Sequence, residues 1–150
     1  FLAAGRDFNA DITDKIAILK TAFRMNSFEN RAYRNNSALA LNVAQLLKPE
    51  ELQELFSELL GVASYYHGGA GFAQELILSL PHEWLLSNIE FYSEPLLRRA
   101  DYETYSALLT LYSKIDRNLT RRLAQRAMNS DDADIHETGE DFLAQLSRED

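Results

Sequence analysis

The chain has no cysteine, and only three prolines and six glycines among 150 residues. The missing cysteine excludes disulfides, thiolate metal sites and a cysteine nucleophile. No Asn-Gly or Asp-Gly pair occurs, and no run alternates apolar with polar residues, so hairpins and half-buried strands have no signal. No apolar run approaches the roughly 18 residues that a bilayer span requires, and the opening stretch FLAAGRDFNAD lacks a basic leader. A cytoplasmic protein without membrane contact is the resulting expectation. Basic residues are absent from a whole third of the chain: between Pro49 and Leu97 there are eight glutamates and no lysine or arginine.

What is present is charge in blocks. Residues 1–48 carry a net +3, 49–97 a net −8, 98–130 a net +4 and 131–150 a net −7, giving −8 in all. Neighbouring helices of opposite sign that exchange surface ion pairs would account for this pattern. The alternative is that one block forms an electrostatic docking face. With 46% hydrophobic and 25% charged residues the composition is that of a globular protein. The length fits one domain, and we expect a single helical domain over residues 1–150. Phe1 in place of Met leads us to expect a piece of a longer protein.

The fold class read from these patterns is all-α. A first helix is expected from near Asp11 to Met25, with Ile12, Ile16, Leu19 and Phe23 on one face, and a second from about Asn35 to Lys48. Pro49 should open another, with Glu50, Glu51 and Glu54 near its positive end and Leu52, Leu55, Phe56, Leu59 and Leu60 as its buried stripe. That helix is expected to fail at HGGAG, with Gly68 and Gly69 in the left-handed cap conformation. Pro81 should start a helix through Trp84, Leu85, Ile89 and Tyr92. Pro95 should kink that helix or divide it near Glu94.

In the last third Asp101, Asp116 and Asp131 stand fifteen residues apart, each a good N-cap before a helix-length segment. The apolar stripes that follow are Tyr105, Leu108, Leu109, Tyr112 and Ile115; then Leu119, Leu123, Ala124, Ala127 and Met128; then Ile135, Gly139, Phe142, Leu143 and Leu146. Short helices with little loop between them cannot bury their faces alone, so they should stack as antiparallel pairs in a short α-solenoid, with a less regular N-terminal half.

The segment SDDADIHETGEDFLAQL resembles the second helix of a HEAT repeat. Asp131 stands at the loop aspartate, Ile135 at the apolar anchor, Gly139 at the small residue of close helix approach, and Leu143 and Leu146 at the closing leucines. His136 occupies the place where arginine is usual. More loosely, residues 94–143 are similar to the helical-repeat tails of bacterial NACHT-type signalling ATPases, which implies a sensor or partner-binding region.

Four sets of residues are candidates for function. HETGE lies one residue from the H-E-x-x-H zinc signature, so a metal-dependent hydrolase at His136, Glu137 and Glu140 is one reading. Glu140 replaces the second histidine, however, and Gly139 suits tight packing. YYHGGAG at Tyr65 to Gly71 lacks the G-K-[ST] of a phosphate loop, and the chain has no G-x-S-x-G nucleophile. Arg117 with Arg121, Arg122 with Arg126, and Arg98 with Arg99 could grip phosphates or an acidic partner. The acids Asp132, Glu137, Glu140 and Asp141 of the next helix could instead neutralise them. Trp84 and Tyr92, at i and i+8, could line a partner groove. The resulting expectation is a non-enzymatic protein-interaction or sensor module, a scaffold within a signalling protein. Its partner would be another protein or another domain of the same chain. It would use Arg98, Arg99, Arg117, Arg121, Arg122, Arg126, Trp84 and Tyr92, with no cofactor and no metal. Nucleic acid is the alternative partner, and self-association through an uncapped end of the stack is a further possibility.

Overall fold

The computed structural model describes residues 12–24, 40–64 and 69–149; their regular structure is helical, joined by short turns, with no strand among them. In chain order the helices are α1 (Ile12–Arg24), α2 (Pro49–Glu54), α3 (Phe56–Ala63), α4 (Ala70–Leu78), α5 (His82–Leu97), α6 (Tyr102–Ser113), α7 (Arg117–Met128) and α8 (Ala133–Glu149). Residues 40–44 are helical as well. The all-α expectation therefore holds.

Local chemistry sets most boundaries. Pro49 sits at the first turn of α2, where its missing amide hydrogen costs nothing, and the Glu51 side chain accepts from the Lys48 amide at 3.0 Å. Asp101 accepts from the Thr104 amide at 2.9 Å, and Asp116 from the amides of Asn118 and Leu119 at 2.9 and 3.0 Å, so both aspartates cap their helices. The third cap is not Asp131. Asp132 does this work, accepting from the amides of Asp134 and Ile135 at 2.9 and 3.1 Å.

Other expectations need correction. The helix opened by Pro49 is interrupted at Leu55, whose φ of −93° and ψ of 5° divide α2 from α3. Its amide bonds the Leu52 carbonyl three residues back, a tighter turn that still leaves Leu52, Leu55, Phe56, Leu59 and Leu60 all buried. Gly69 has a φ of −91° and serves as the N-cap of α4, so it does not adopt the left-handed conformation; Gly68 lies outside the described residues. Pro95 does not divide its helix, because α5 continues through it to Leu97. The lost amide hydrogen bond and the crowding of its ring against the Phe91 carbonyl are thus borne within the last turn without ending the helix.

Packing buries the stripes read from the sequence. Tyr105, Leu108, Leu109, Tyr112, Ile115, Leu119, Leu123, Ala124, Ala127, Ile135, Gly139 and Leu146 are buried; Met128, Phe142 and Leu143 are half-buried. One hydrophobic core runs from Ile16 to Ile135. Within it α3 touches α1, α2, α4 and α5, while α6 touches α5, α7 and α8. Lys114, just after α6, donates to the Gln74 side chain of α4 at 3.4 Å and links the two halves.

Two relationships fix the order of the C-terminal helices. Arg117 at the start of α7 donates to the Leu146 carbonyl near the end of α8, and Gly139 lies against Ala124, Ala127 and Met128, so α7 and α8 run antiparallel. Arg122 pairs with Glu90 and Arg126 with Glu94, each across 32 positions. One turn forward on α5 matches one turn forward on α7, so these alternate helices run parallel. The buried Tyr112 phenol donates to Ser93 at 2.8 Å and ties α6 to α5.

Candidate functional site

Charge assembles where arginines of α7 reach glutamates of α5. The Arg122 fork holds Glu90 through Nη2 to Oε1 at 2.6 Å and Nε to Oε2 at 3.3 Å. One turn on, Arg126 holds Glu94 through Nη1 to Oε2 at 2.6 Å and Nη2 to Oε1 at 3.1 Å. Bidentate pairing of this kind fixes direction as well as charge. Its electrostatic trace is visible in Glu94 and in both arginines. Hydrogen bonding and charge from Arg126 hold the Glu94 carboxyl below its ordinary value, despite partial desolvation. Arg122 and Arg126 are both pushed upward, chiefly by the hydrogen bonds they donate to Glu90 and Glu94.

The six arginines proposed from the sequence thus separate into distinct environments. Arg122 and Arg126 form the ladder. Arg117 is engaged with the Leu146 carbonyl, and Arg121 donates to Asn118 at 3.1 Å within its own helix. Arg98 and Arg99 lie exposed where α5 ends, and Arg98 approaches Glu94 at 3.5 Å. The structure does not bring all six into one free basic face. The carboxylates that match Arg122 and Arg126 come from α5, two helices earlier, and not from the acids of α8.

Trp84 and Tyr92 are brought together as expected from their spacing, with rings 6.2 Å apart and only 26° from parallel. Both are half-buried and rest edge-on against buried Phe56, at 4.9 and 5.4 Å, so their inner faces belong to the core. Asn88 between them donates to the Trp84 carbonyl at 2.8 Å. The residue that sequence reasoning passed over is Phe91. It packs edge-on against Tyr92 at 5.4 Å yet is 77% exposed. The signal for it was helical phase, since Phe91 lies off the Leu85, Ile89, Ser93 and Leu97 line that faces inward.

At the HETGE segment, His136 Nδ1 and Glu140 Oε1 stand 3.9 Å apart on one face of α8, while Glu137 is exposed. Among the described residues no three His, Asp or Glu side chains group as metal ligands do. Gly139 within that segment is a contact point of the α7–α8 interface. A methyl group there would stand 2.6 Å from the Ala124 carbonyl oxygen and 2.9 Å from the Met128 amide nitrogen. Of YYHGGAG, residues 65–68 with Tyr65, Tyr66 and His67 lie outside the described residues. No helix among the described residues is long and apolar enough to cross a membrane.

No family model, curated protein or solved structure matches the chain.

Proposed function

We propose that this chain is a non-enzymatic helical-repeat module that binds another protein, or another domain of its own chain, in a cytoplasmic signalling or regulatory assembly. The observation that carries the reading is the parallel alignment of α5 and α7 with α6 between them in sequence, pinned by the Glu90–Arg122 and Glu94–Arg126 pairs. Alternate helices held in parallel register leave a broad outer surface, the geometry by which helical repeats present partners with a face. The close approach at Gly139 and the buried Ile135 and Leu146 support a likeness to the HEAT pattern.

Nucleic-acid binding is the weaker reading, because Arg122 and Arg126 already hold carboxylates and would have to give them up to reach phosphates. The metal-hydrolase reading lacks a third ligand beside His136 and Glu140 among the described residues.

Affinity capture from cell lysate, followed by reconstitution with each captured protein in purified form, tests the proposal. We expect a complex of fixed stoichiometry by analytical ultracentrifugation. Retention of nucleic acid alone, released as salt rises to about 0.2 M, would move the function to the alternative. If no captured protein reconstitutes, the interaction reading fails.

A further inference from the structure

We propose that the outer edge of α5, comprising Phe91, Pro95, Arg98 and Arg99, docks an acidic protein segment that carries an apolar anchor; this rests on the protein-interaction reading above.

Phe91, Pro95 and Arg98 follow one another at four and three residues along α5, which places them on one helical line, and all three are exposed. Phe91 is a large ring left 77% in water, in the middle of a sixteen-residue helix whose inner line is fully packed. The other strongly exposed aliphatic side chains, Ile18 and Leu46, lie on segments that border residues outside the described set. Phe91 does not. Its ring is steadied by edge contact with Tyr92, which is itself braced on Phe56, so little conformational freedom remains to be lost on binding. Pro95 adds a second feature. Its exposed ring extends the apolar surface one turn beyond Phe91 along the same line.

Charge identifies the class of partner. The two carboxylates of this edge, Glu90 and Glu94, are each matched by an arginine of α7. Asp101, which follows, is committed to capping α6. Arg98 shares the Glu94 carboxylate, already held by Arg126, in an ion pair at 3.5 Å with 72% of its side chain exposed, so one positive charge remains in excess there, and Arg99 is exposed beside it. A positive, apolar patch thus stands out on a chain whose net charge is −8. An aromatic anchor site next to two arginines fits a segment with Asp or Glu flanking a Leu, Phe or Trp.

Selection of a phage-displayed library of random peptides, about twelve residues long, against the immobilised 150-residue chain tests this. The native chain should enrich peptides with acidic residues around an apolar anchor. A synthetic copy of an enriched peptide should bind Phe91→Ala and the double variant R98E/R99E on the order of tenfold more weakly. Circular dichroism should show both variants folded, since the positions are exposed, and Arg148→Glu on α8 should bind the peptide as the native chain does. Peptides that ignore Phe91→Ala and R98E/R99E would overturn this face and leave the interaction reading standing. Enriched peptides rich in Lys or Arg would overturn the acidic chemistry. Failure to enrich any peptide counts against both, and binding of a single-stranded oligonucleotide that is lost in R98E/R99E but kept in Phe91→Ala would assign the patch to nucleic acid.

Discussion

Gly139 of α8 faces the Ala124 carbonyl oxygen of α7 so closely that a β-carbon on it would stand 2.6 Å away, with the Ala127 methyl and the Met128 amide each at 2.9 Å. Two of these three neighbours are backbone atoms, which cannot turn aside as a flexible side chain does. Substitution Gly139→Ala must therefore push α7 and α8 apart. We expect a loss of about 1–3 kcal/mol from overpacking, despite alanine's better helix propensity, and a Tm lower by several degrees in thermal denaturation. An unchanged Tm would mean that the helices separate at no cost.

The N-cap of α8 offers a sharper comparison. Asp132 accepts from two backbone amides, whereas Asp131 is exposed and precedes the turn. Asp132→Ala should cost about 1 kcal/mol in chemical denaturation, and Asp131→Ala close to nothing. Equal losses from the two substitutions would refute the assignment.

Acid should weaken the tie between α5 and α7. The Glu94 carboxyl is held below its ordinary value by Arg126, so its contribution is fully present above the ordinary carboxylate range and is lost as pH falls through the depressed value. Thermal midpoints measured from pH 7 down to about pH 3 should decline less steeply in Glu94→Gln than in the native chain. Parallel curves would show that the pair has no linkage to folding.

At the alkaline end Tyr112 governs. Burial pushes its phenol from 10.0 up to about 12, against a smaller opposing effect of the Ser93 hydrogen bond. Stability from this group is complete below pH 10 and disappears as pH rises through about 12, because the unfolded chain releases the proton first. Ultraviolet titration should find one tyrosine that ionises only as the chain unfolds, absent from Tyr112→Phe. That variant should also lose about 1 kcal/mol at neutral pH with the hydrogen bond to Ser93.

Helices and their inward stripes were legible in the sequence because both depend on short-range spacing. Ile16 and Leu19, the leucines of α2 and α3, the stripe of α6 and most of those of α7 and α8 lie inside as their periodicity requires, with Met128, Phe142 and Leu143 half-buried. The blocks of opposite charge also foretold ion pairs between helices. The partners themselves were not legible. Arg122 and Arg126 stand near the acids of α8 in sequence, yet they meet Glu90 and Glu94 of α5, 32 positions earlier. Likewise four polar residues, Asn129 to Asp132, precede α8, and fifteen-residue spacing selected Asp131 where the path of the chain aims Asp132 at the amides.

Sequence alone determined that this chain is helical and where its apolar faces lie, since both follow from residue type repeated at three and four positions; the close approach at Gly139 was what the resemblance to a HEAT repeat implied. Tertiary structure decided which charges cancel, which aspartate caps α8, and which aromatic is left in water. Those outcomes depend on the direction and register of helices up to 32 residues apart, a distance over which local periodicity carries no information.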